Sequence, residues 1–362
     1  MKEIKALTSL RGIAALAVVL QHFSATAQKH CDVTIPSLAP HGYMAVDFFF
    51  VLSGFIMSYT YLKAFQADPR TAFPEFLARR VARVVPLNVA VLLLLMLAAA
   101  VSVALLGRNI VFRSDNITFD LIANLFMLQG LGIGRNLNGP SWSISTEFAA
   151  YLAFPLFVAL VFHSRRIVFF TAVLVAVAGV VLIALQLPRF GLNTETTGAS
   201  LARCFTEFVL GLAAYRLYRL PGPSQWLGQD RVTFALTATV VILLVAGIDL
   251  PVVLLFPFLI VAFASNNGLA GRLLSTRLPY FLGVISYSIY LIHDPFRPLS
   301  LEIIRALHPA SLPYFGALGF AFFSSVLIIP FAWLSFIAFE RPGRDVVRRL
   351  FARSPTKAPR MA

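Results

Sequence analysis

Long apolar runs, most of them close to the length of a membrane-spanning helix, recur along the whole of this chain. They fall near residues 7–27, 42–62, 84–106, 142–162, 167–187, 200–218, 232–248, 250–265, 280–296 and 314–338. A helix needs roughly 20 apolar residues to cross the hydrocarbon core of a bilayer. Backbone polar groups find no water in lipid, so such runs fold as helices. The pattern predicts an all-α, polytopic membrane bundle of about ten transmembrane helices.

The scarcity of charged residues supports lipid as the main solvent. The chain is 59% hydrophobic and 13% charged, whereas soluble domains are about 25% charged. The formal net charge of +14 would suit a nucleic-acid partner. However, the basic residues lie between the apolar runs and not in one block, which is typical of cytoplasmic membrane loops. We therefore expect a lipid bilayer and no nucleic acid as partner.

The distribution of basic residues predicts the topology. With ten spans and both termini in the cytoplasm, 21 of the 30 lysines and arginines lie on the cytoplasmic side, as the positive-inside rule requires. Residues 119–134 are short and rich in glycine, so they could be an eleventh span, a re-entrant segment or a surface segment. An eleventh span would place Arg165 and Arg166 outside, which favours ten. Residues 1–345 then form a single membrane domain, and residues 346–362 form a basic cytoplasmic tail expected to be disordered.

The first span carries two polar residues that are costly in a membrane, Arg11 and His22. Eleven residues make three helical turns plus about 20°, so both side chains lie on one face, about 16 Å apart along the axis. Arg11 is then near the cytoplasmic end and His22 in the outer half. The structural alternatives are a snorkelling arginine and a histidine that bonds between helices.

Two carboxylates are predicted near the outer surface. Asp47 begins the second span at about the depth of His22, where it could relay protons or hold one tautomer of a histidine. Glu147 lies one turn into the fourth span, with Ser143 four residues earlier on the same face. Trp142 is expected to be an interfacial aromatic residue.

The segment RRVARVVPL gathers three arginines at the cytoplasmic end of the third span. Arg80 and Arg83 share one helical face, and Arg79 is adjacent. Forked guanidinium groups suit a polyphosphate ligand. The alternative is a positive-inside anchor that binds lipid headgroups.

Two further groups of polar residues lie later in the chain. Tyr287, Tyr290 and His293 approach the outer surface at the end of the segment FLGVISYSIYLIHDPF, although His293 could equally belong to an ordinary loop junction. Arg203 and Glu207 are four residues apart within a span, and this spacing predicts a self-neutralising structural pair.

Five segments, taken in order, resemble the acyltransferase-3 family of bacterial membrane acyltransferases: LTSLRGIAALAVVLQHF, VDFFFVLSGFIMS, ARRVARVVPL, SWSISTEFAAYLAFP and LGVISYSIYLIH. The resemblance covers about residues 5–342. It implies a ten-helix fold in the bacterial inner membrane that transfers an acetyl or other short acyl group from coenzyme A to a hydroxyl group. Acceptors in that family are usually sugars of surface polysaccharides, lipopolysaccharide or related glycolipids, and sometimes antibiotics. Many relatives add an esterase-like domain at the C-terminus, which this chain is expected to lack.

The resemblance also implies roles for individual residues. Arg11 and His22 match a motif of an arginine and a histidine separated by ten residues, and Arg80 and Arg83 match an R-x-x-R motif. Family members commonly have two acidic residues after W-S-x-S, whereas here Glu147 is followed by a phenylalanine. These matches, taken together with the predicted depths of the polar residues, predict three groups of site residues. The catalytic residues are expected to be His22, Asp47 and Glu147; the acyl-CoA-binding residues Arg11, Arg80 and Arg83; and the acceptor-binding residues Trp142, Ser143, Tyr290 and His293. Acyl-CoA is expected as co-substrate, with no permanently bound cofactor and no metal.

Two chemical routes are open at this point. Acyl-CoA would bind the cytoplasmic arginines, its pantetheine arm would cross half of the bilayer, and the acceptor would bind near His22. His22 could remove the proton of the attacking hydroxyl group, which is the route we favour, or become acylated itself and pass the group on.

Two other functional classes would also use buried charged residues. A proton-coupled transporter or flippase could employ them as a relay, although no inverted repeat is evident. A structural subunit of a polysaccharide export system would tolerate substitutions of His22. Release of free thiol from acetyl-CoA distinguishes an enzyme from both.

Overall fold

A computed structural model of the chain describes residues 3–31, 41–112, 114–186, 197–298, 302 and 314–352. Every regular element within these ranges is helical. The α-helices are α1 (Lys5–Cys31), α2 (Met44–Ala67), α3 (Pro69–Leu106), α4 (Ile117–Leu125), α5 (Ser141–Val161), α6 (Arg166–Gln186), α7 (Thr197–Tyr218), α8 (Pro221–Leu227), α9 (Asp230–Val245), α10 (Asp249–Ser265), α11 (Leu269–Leu274), α12 (Arg277–Val284), α13 (Ser286–Ile292), α14 (Tyr314–Ser335) and α15 (Arg341–Ala352). A π-helical segment, Phe336–Glu340, joins α14 to α15.

In the described part of the chain, six helices are long and apolar enough to cross a membrane. They are Lys5–Gln28, Met44–Ala67, Pro69–Leu106, Ser141–Val161, Arg166–Leu185 and Leu318–Phe351. A seventh is possible if α8 and α9, bent by 67° at their junction, act as one span. These helices confirm an all-helical, multi-pass architecture, while the count of about ten spans and the cytoplasmic termini stay predictions.

The long helix α3 shows how local sequence sets an element's ends. The Asp68 side chain caps its N-terminus by accepting a hydrogen bond from the Arg70 backbone N–H at 3.0 Å, and a proline follows at the first helical position. Gly107 ends the helix with a φ of 68°, and its N–H bonds to the Val103 carbonyl group. The 38 residues between these caps measure about 57 Å. The helix therefore extends well beyond the predicted span 84–106 and includes the three predicted arginines.

Helix α2 lies at the centre of the bundle and α6 at its periphery. In its most apolar segment, α2 has 72% of its residues buried, whereas α6 has 17%. α2 and α7 approach closely where Gly54 faces Gly211: a Cβ atom on Gly54 would collide with the Phe208 carbonyl oxygen, and one on Gly211 with the Val51 carbonyl oxygen. Gly54 thus permits close helix packing.

The predicted span 280–296 is a broken helix. α12 ends at Val284 and α13 begins at Ser286, with Ile285 between them. The Ser286 hydroxyl donates to the Gly283 carbonyl group at 2.8 Å. The apolar pattern continues across this break, so hydropathy alone did not reveal it. The break matters for function because α13 carries the predicted tyrosines.

Two predicted segments take a definite form. Residues 119–134 include most of the 9-residue helix α4, which begins at Ile117, and a short 3₁₀ turn at Gln129–Leu131. α4 is about half the length of a spanning helix. The tail expected to be disordered from residue 346 is instead helical as far as Ala352, so this expectation was wrong for those residues. Residues 353–362 lie outside the described part of the chain.

Candidate active site

A cavity of about 140 Å³ lies within the bundle, and we call it the central cavity. Its wall combines side chains of α1, α2, α3, α5 and α13. Six of the ten predicted site residues line it: Arg11, Arg80, Arg83, Ser143, Glu147 and Tyr290. The structure therefore brings together residues from segments as distant in sequence as α1 and α13.

Arg11 faces the central cavity without a protein partner. No hydrogen bond or ion pair joins its guanidinium group to another described residue. Arg80 is only partly bonded: one terminal nitrogen donates to the Tyr61 hydroxyl at 3.1 Å, while its buried Nε has no hydrogen-bond partner in the described part of the chain. Its guanidinium group lies 5.5 Å and 5.9 Å from the ring centroids of Tyr61 and Tyr151. Unpartnered N–H groups of this kind are available to an anionic ligand.

Arg83 differs from these two arginines because it has a carboxylate partner. Its Nη1 donates to Oε1 of Glu340, a buried residue at the end of the π-helical segment. The other Glu340 oxygen accepts from the Ser288 hydroxyl of α13 at 2.7 Å. Glu340 thus links α3 to α13 and neutralises part of the positive charge. The sequence interpretation did not include Glu340, although an acidic residue at the end of an apolar run was a signal for it.

Glu147 and its neighbours form the polar wall of the cavity contributed by α5. The Tyr151 hydroxyl donates to Glu147 Oε1 at 2.6 Å. The Ser143 hydroxyl lies 2.7 Å from that of Tyr290 and 2.9 Å from the Pro140 carbonyl oxygen. α5 and α13 are therefore joined by a hydroxyl pair on the cavity wall. The wall residues carry three arginines and one glutamate, so the cavity has an excess of positive charge.

The two predicted histidines contact each other near the central cavity without lining it. His22 Nδ1 lies 2.8 Å from His293 Nε2, and the ring centroids are 4.9 Å apart. His293 is fully buried, and its ring centroid lies 6.0 Å from that of Tyr290, which does line the cavity. His293 is therefore not a residue of an ordinary loop junction, which was the alternative prediction for it. The contact with His22 spans 271 residues of sequence and could not be read from local spacing.

Asp47 was predicted to lie beside His22, and its hydrogen bonds show a different role. Both carboxylate oxygens accept from Arg203, one of them from Nε at 2.6 Å. The structure gives no hydrogen bond between Asp47 and His22. Glu207 Oε1 lies 3.7 Å from Arg203 Nε, so the predicted ion pair of Arg203 and Glu207 is present, although Asp47 is the partner that makes the hydrogen bonds. We call Asp47, Arg203 and Glu207 the Arg203 cluster.

Trp142 was predicted to be an interfacial residue that binds the acceptor. Its side chain is instead buried, with 9% exposed, and its ring packs edge-on against Phe50 with centroids 6.4 Å apart. It is not among the cavity-lining residues. The prediction relied on the position of Trp142 at the start of α5, which was expected to lie at the membrane surface. The preceding loop covers this start: the Gln129 side-chain amide donates to the Ser141 carbonyl oxygen at 3.2 Å.

A family model and several known proteins are similar in sequence to this chain. A family model described as an acyltransferase domain matches residues 4–337. MdmB, an acyltransferase of Streptomyces mycarofaciens, is 34% identical over 165 residues, which are 44% of this chain and 40% of MdmB. YrhL of Bacillus subtilis (strain 168), provisionally named a peptidoglycan O-acetyltransferase, is 26% identical over 341 residues, 85% of this chain and 51% of YrhL.

A provisionally named O-acetyltransferase of Staphylococcus aureus (strain COL) is 26% identical over 167 residues, which are 43% of this chain and 25% of that protein. The chain thus spans about half or less of the length of these relatives. No solved structure matches it significantly.

Proposed function

The chain belongs to the acyltransferase family whose model matches residues 4–337, and from this membership we propose that it is a membrane O-acyltransferase. The donor is acyl-CoA, with acetyl-CoA as the simplest candidate. The acceptor is a hydroxyl group of a sugar in a surface polysaccharide, lipopolysaccharide or glycolipid. The relative YrhL is named for O-acetylation of peptidoglycan, which supports a glycan acceptor.

The observation that carries the proposal is the charge of the central cavity. Arg11 and Arg80 line a space that also contains Glu147 and Tyr290. Neither arginine has a carboxylate partner among the described residues, and the Nε of Arg80 lacks a hydrogen-bond partner there. An uncompensated cation inside a membrane protein is costly unless a ligand supplies the opposite charge. The phosphates of coenzyme A are anionic and match forked guanidinium donors. The arginine end of the cavity therefore supports a phosphate-bearing donor.

Direct transfer fits the arrangement of the remaining residues. The acceptor oxygen attacks the thioester carbonyl carbon, a C–O bond forms and the C–S bond breaks. His22 takes the hydroxyl proton and returns it to the departing thiolate, so that free coenzyme A leaves as a thiol. Ser143, Tyr290 and Glu147 lie on the cavity wall, where they offer hydrogen bonds to the carbonyl oxygen or the acceptor. Asp47 and Trp142 have no part in this step.

We also propose ten membrane crossings in the inner membrane of a bacterium, with both termini in the cytoplasm. α1, α2, α3, α5, α6, α7, α9, α10, the α12–α13 pair and α14 would each cross once. The excess of basic residues on one side supports this orientation. Reporter domains fused at Met1 and at Ala362 should both be active only in the cytoplasm. Activity of the Ala362 fusion on the outer side would exclude ten crossings.

Thiol release tests the proposed reaction. Purified full chain in lipid nanodiscs should release free thiol from acetyl-CoA when glycan fragments of peptidoglycan are added, and labelled acetyl should appear on the glycan. A transporter or a structural subunit would release none. His22→Gln should lower the transfer rate about 10²–10⁴-fold, because an amide cannot accept the proton.

The control for folding is the thermal unfolding midpoint of His22→Gln. Histidine hydrogen bonds between membrane helices contribute below about 1 kcal/mol on average, so the midpoint should change little. Near-normal transfer by this variant would remove His22 from the mechanism. Absence of thiol release from the wild type with every glycan tested would count against the proposed reaction itself.

A further inference from the structure

A chain of two hydrogen bonds leads from a backbone carbonyl group to His22. The Nδ1 of His293 lies 2.6 Å from the carbonyl oxygen of Tyr290. The Nε2 of the same ring lies 2.8 Å from His22 Nδ1. A carbonyl oxygen accepts hydrogen bonds and never donates them. The proton of the first bond therefore belongs to His293 Nδ1.

Burial decides the protonation state of the second nitrogen. The His293 side chain is fully buried, and among the described residues neither of its ring nitrogens is bonded to a carboxylate. An isolated charge in such a place is costly, so the ring is neutral and carries a single proton. That proton is on Nδ1, which leaves Nε2 as an acceptor.

The direction of the second hydrogen bond then follows. Because His293 Nε2 can only accept, His22 Nδ1 must donate. In the neutral form of His22, Nε2 then carries the lone pair. In the part of the chain that the structure describes, no residue forms a hydrogen bond with His22 Nε2, and the His22 side chain is only half-buried. This nitrogen is free to meet a substrate.

The position of His293 is fixed by contacts on either side of it. The Asn138 side-chain amide donates to the Leu291 carbonyl oxygen at 3.0 Å. The Gly139 backbone N–H donates to Asp294 Oδ2 at 3.0 Å. Both contacts clamp the end of α13 to the loop that precedes α5. A ring held in this way can impose one orientation on its partner.

We propose that His293 is a positioning residue that fixes the tautomer of His22, so that Nε2 is the atom that takes the acceptor proton. The proton transfer to His22 depends on the proposed function, whereas the tautomer of His22 does not. In that step the hydroxyl proton moves to His22 Nε2 as the C–O bond forms. The same proton then passes to the coenzyme A sulfur as the C–S bond breaks, and His22 returns to its starting tautomer.

Nitrogen NMR tests the tautomer without any substrate. The full chain, labelled with ¹⁵N-histidine and placed in nanodiscs, contains six histidines. The His22 ring signals are those missing from the spectrum of His22→Gln. Above pH 8, where an ordinary imidazole is neutral, His22 should show a protonated Nδ1 and an unprotonated Nε2. The opposite pattern in the wild type would overturn the proposal.

Two substitutions of His293 separate positioning from packing. His293→Gln can reproduce both bonds, because its amide donates to the Tyr290 carbonyl group and its oxygen accepts from His22. His293→Phe keeps the ring volume but offers no acceptor. The phenylalanine variant should lower the transfer rate about 10–100-fold with an unchanged KM for acetyl-CoA, and the glutamine variant should regain most of the rate. In His293→Phe, the His22 signals should show a mixture of tautomers.

The possible outcomes distinguish this proposal from the proposed function. Equal losses in both variants, or a His22 tautomer that is unchanged in His293→Phe, would show that His293 acts only through packing. The predicted tautomer in a protein that releases no thiol from acetyl-CoA would support the positioning role while the proposed reaction fails. If His293→Phe does not fold, the wild-type spectrum still decides the tautomer.

Discussion

The central cavity and the Arg203 cluster are two regions of the same bundle that treat a buried arginine differently. In the Arg203 cluster, Arg203 is nearly inaccessible and makes two hydrogen bonds to Asp47. In the central cavity, Arg11 has no protein partner among the described residues, and the buried Arg80 Nε has none either. The arginine of the first region has a hydrogen-bonded carboxylate partner within the chain, and Arg11 and Arg80 in the second region have none among the described residues.

The difference separates structural charges from functional ones. A buried ion pair with good geometry joins helices, and removing one partner leaves an uncompensated charge in a medium that solvates it poorly. An arginine that forms no ion pair within the chain retains N–H groups that can bind an anion. The predictions below test whether loss of a charge affects folding in the Arg203 cluster and donor binding in the central cavity.

The largest effect is expected for Asp47→Asn. The substitution leaves Arg203 buried without its bidentate partner, which should destabilise the protein by about 3–5 kcal/mol. Expression in membranes and the thermal unfolding midpoint should both fall. Asp47→Leu combined with Arg203→Met and Glu207→Leu is the matched control, since removing all three charged groups of the Arg203 cluster should restore much of the stability. A stable Asp47→Asn protein that has lost only catalysis would return Asp47 to the active site.

A smaller and different effect is expected for Arg80→Lys. A lysine keeps the charge but not the forked donors or the stacking on Tyr61 and Tyr151. Each charge-assisted hydrogen bond contributes about 1.5–3 kcal/mol, so the KM for acetyl-CoA should rise about 10–100-fold. The unfolding midpoint should be close to that of the wild type. An unchanged KM at normal expression would make Arg80 a lipid anchor.

Arg83→Lys should raise the KM for acetyl-CoA less than Arg80→Lys does. Glu340 already accepts a hydrogen bond from Arg83 and neutralises part of its charge, so less of that charge is available to a donor phosphate. We expect an increase of about two- to five-fold, corresponding to under about 1 kcal/mol. An increase as large as that of Arg80→Lys would mean that Arg83 leaves Glu340 when the donor binds.

The smallest effect is expected for Arg79→Gln, the matched control at the same end of α3. The Arg79 side chain is 52% exposed, pairs with Glu75 four residues earlier and does not line the cavity. Exposed pairs of this type contribute about 0.3–0.5 kcal/mol. The KM and the unfolding midpoint should both match the wild type. A large rise in KM would extend the donor site beyond the cavity wall.

The sequence predicted those parts of the site that depend on local spacing. Arg80 and Arg83 lie three residues apart on one helix face, and both line the cavity. Ser143 and Glu147 are four residues apart on α5, and they line the same cavity. The membrane-helix class also followed from the apolar runs. In each case the helical repeat determines which side chains share a face, so the pattern could be read without knowledge of the tertiary structure.

Pairings between distant segments could not be read in this way. Asp47 and Arg203 are 156 residues apart, and His22 and His293 are 271 apart. Helix packing decides which distant residues pair. From the sequence alone, several charged or polar residues could have been the partner of each of these residues. Trp142 was misplaced for a related reason: its position at a helix start predicted an interface, whereas the loop before α5 covers it. The break at Ile285 was hidden because apolar residues continue on both sides of it.

Binding of acetyl-CoA to Arg11→Gln tests most directly whether the arginines left unpaired by the chain bind the donor. The dissociation constant and the unfolding midpoint should be measured on the same nanodisc samples, beside wild type and Arg79→Gln. We expect binding to weaken about 10–100-fold, the equivalent of one lost charge-assisted contact. The midpoint should not fall, because no protein partner of Arg11 is lost. Unchanged affinity, or a lowered midpoint that accounts for the weaker binding, would contradict the division between the central cavity and the Arg203 cluster.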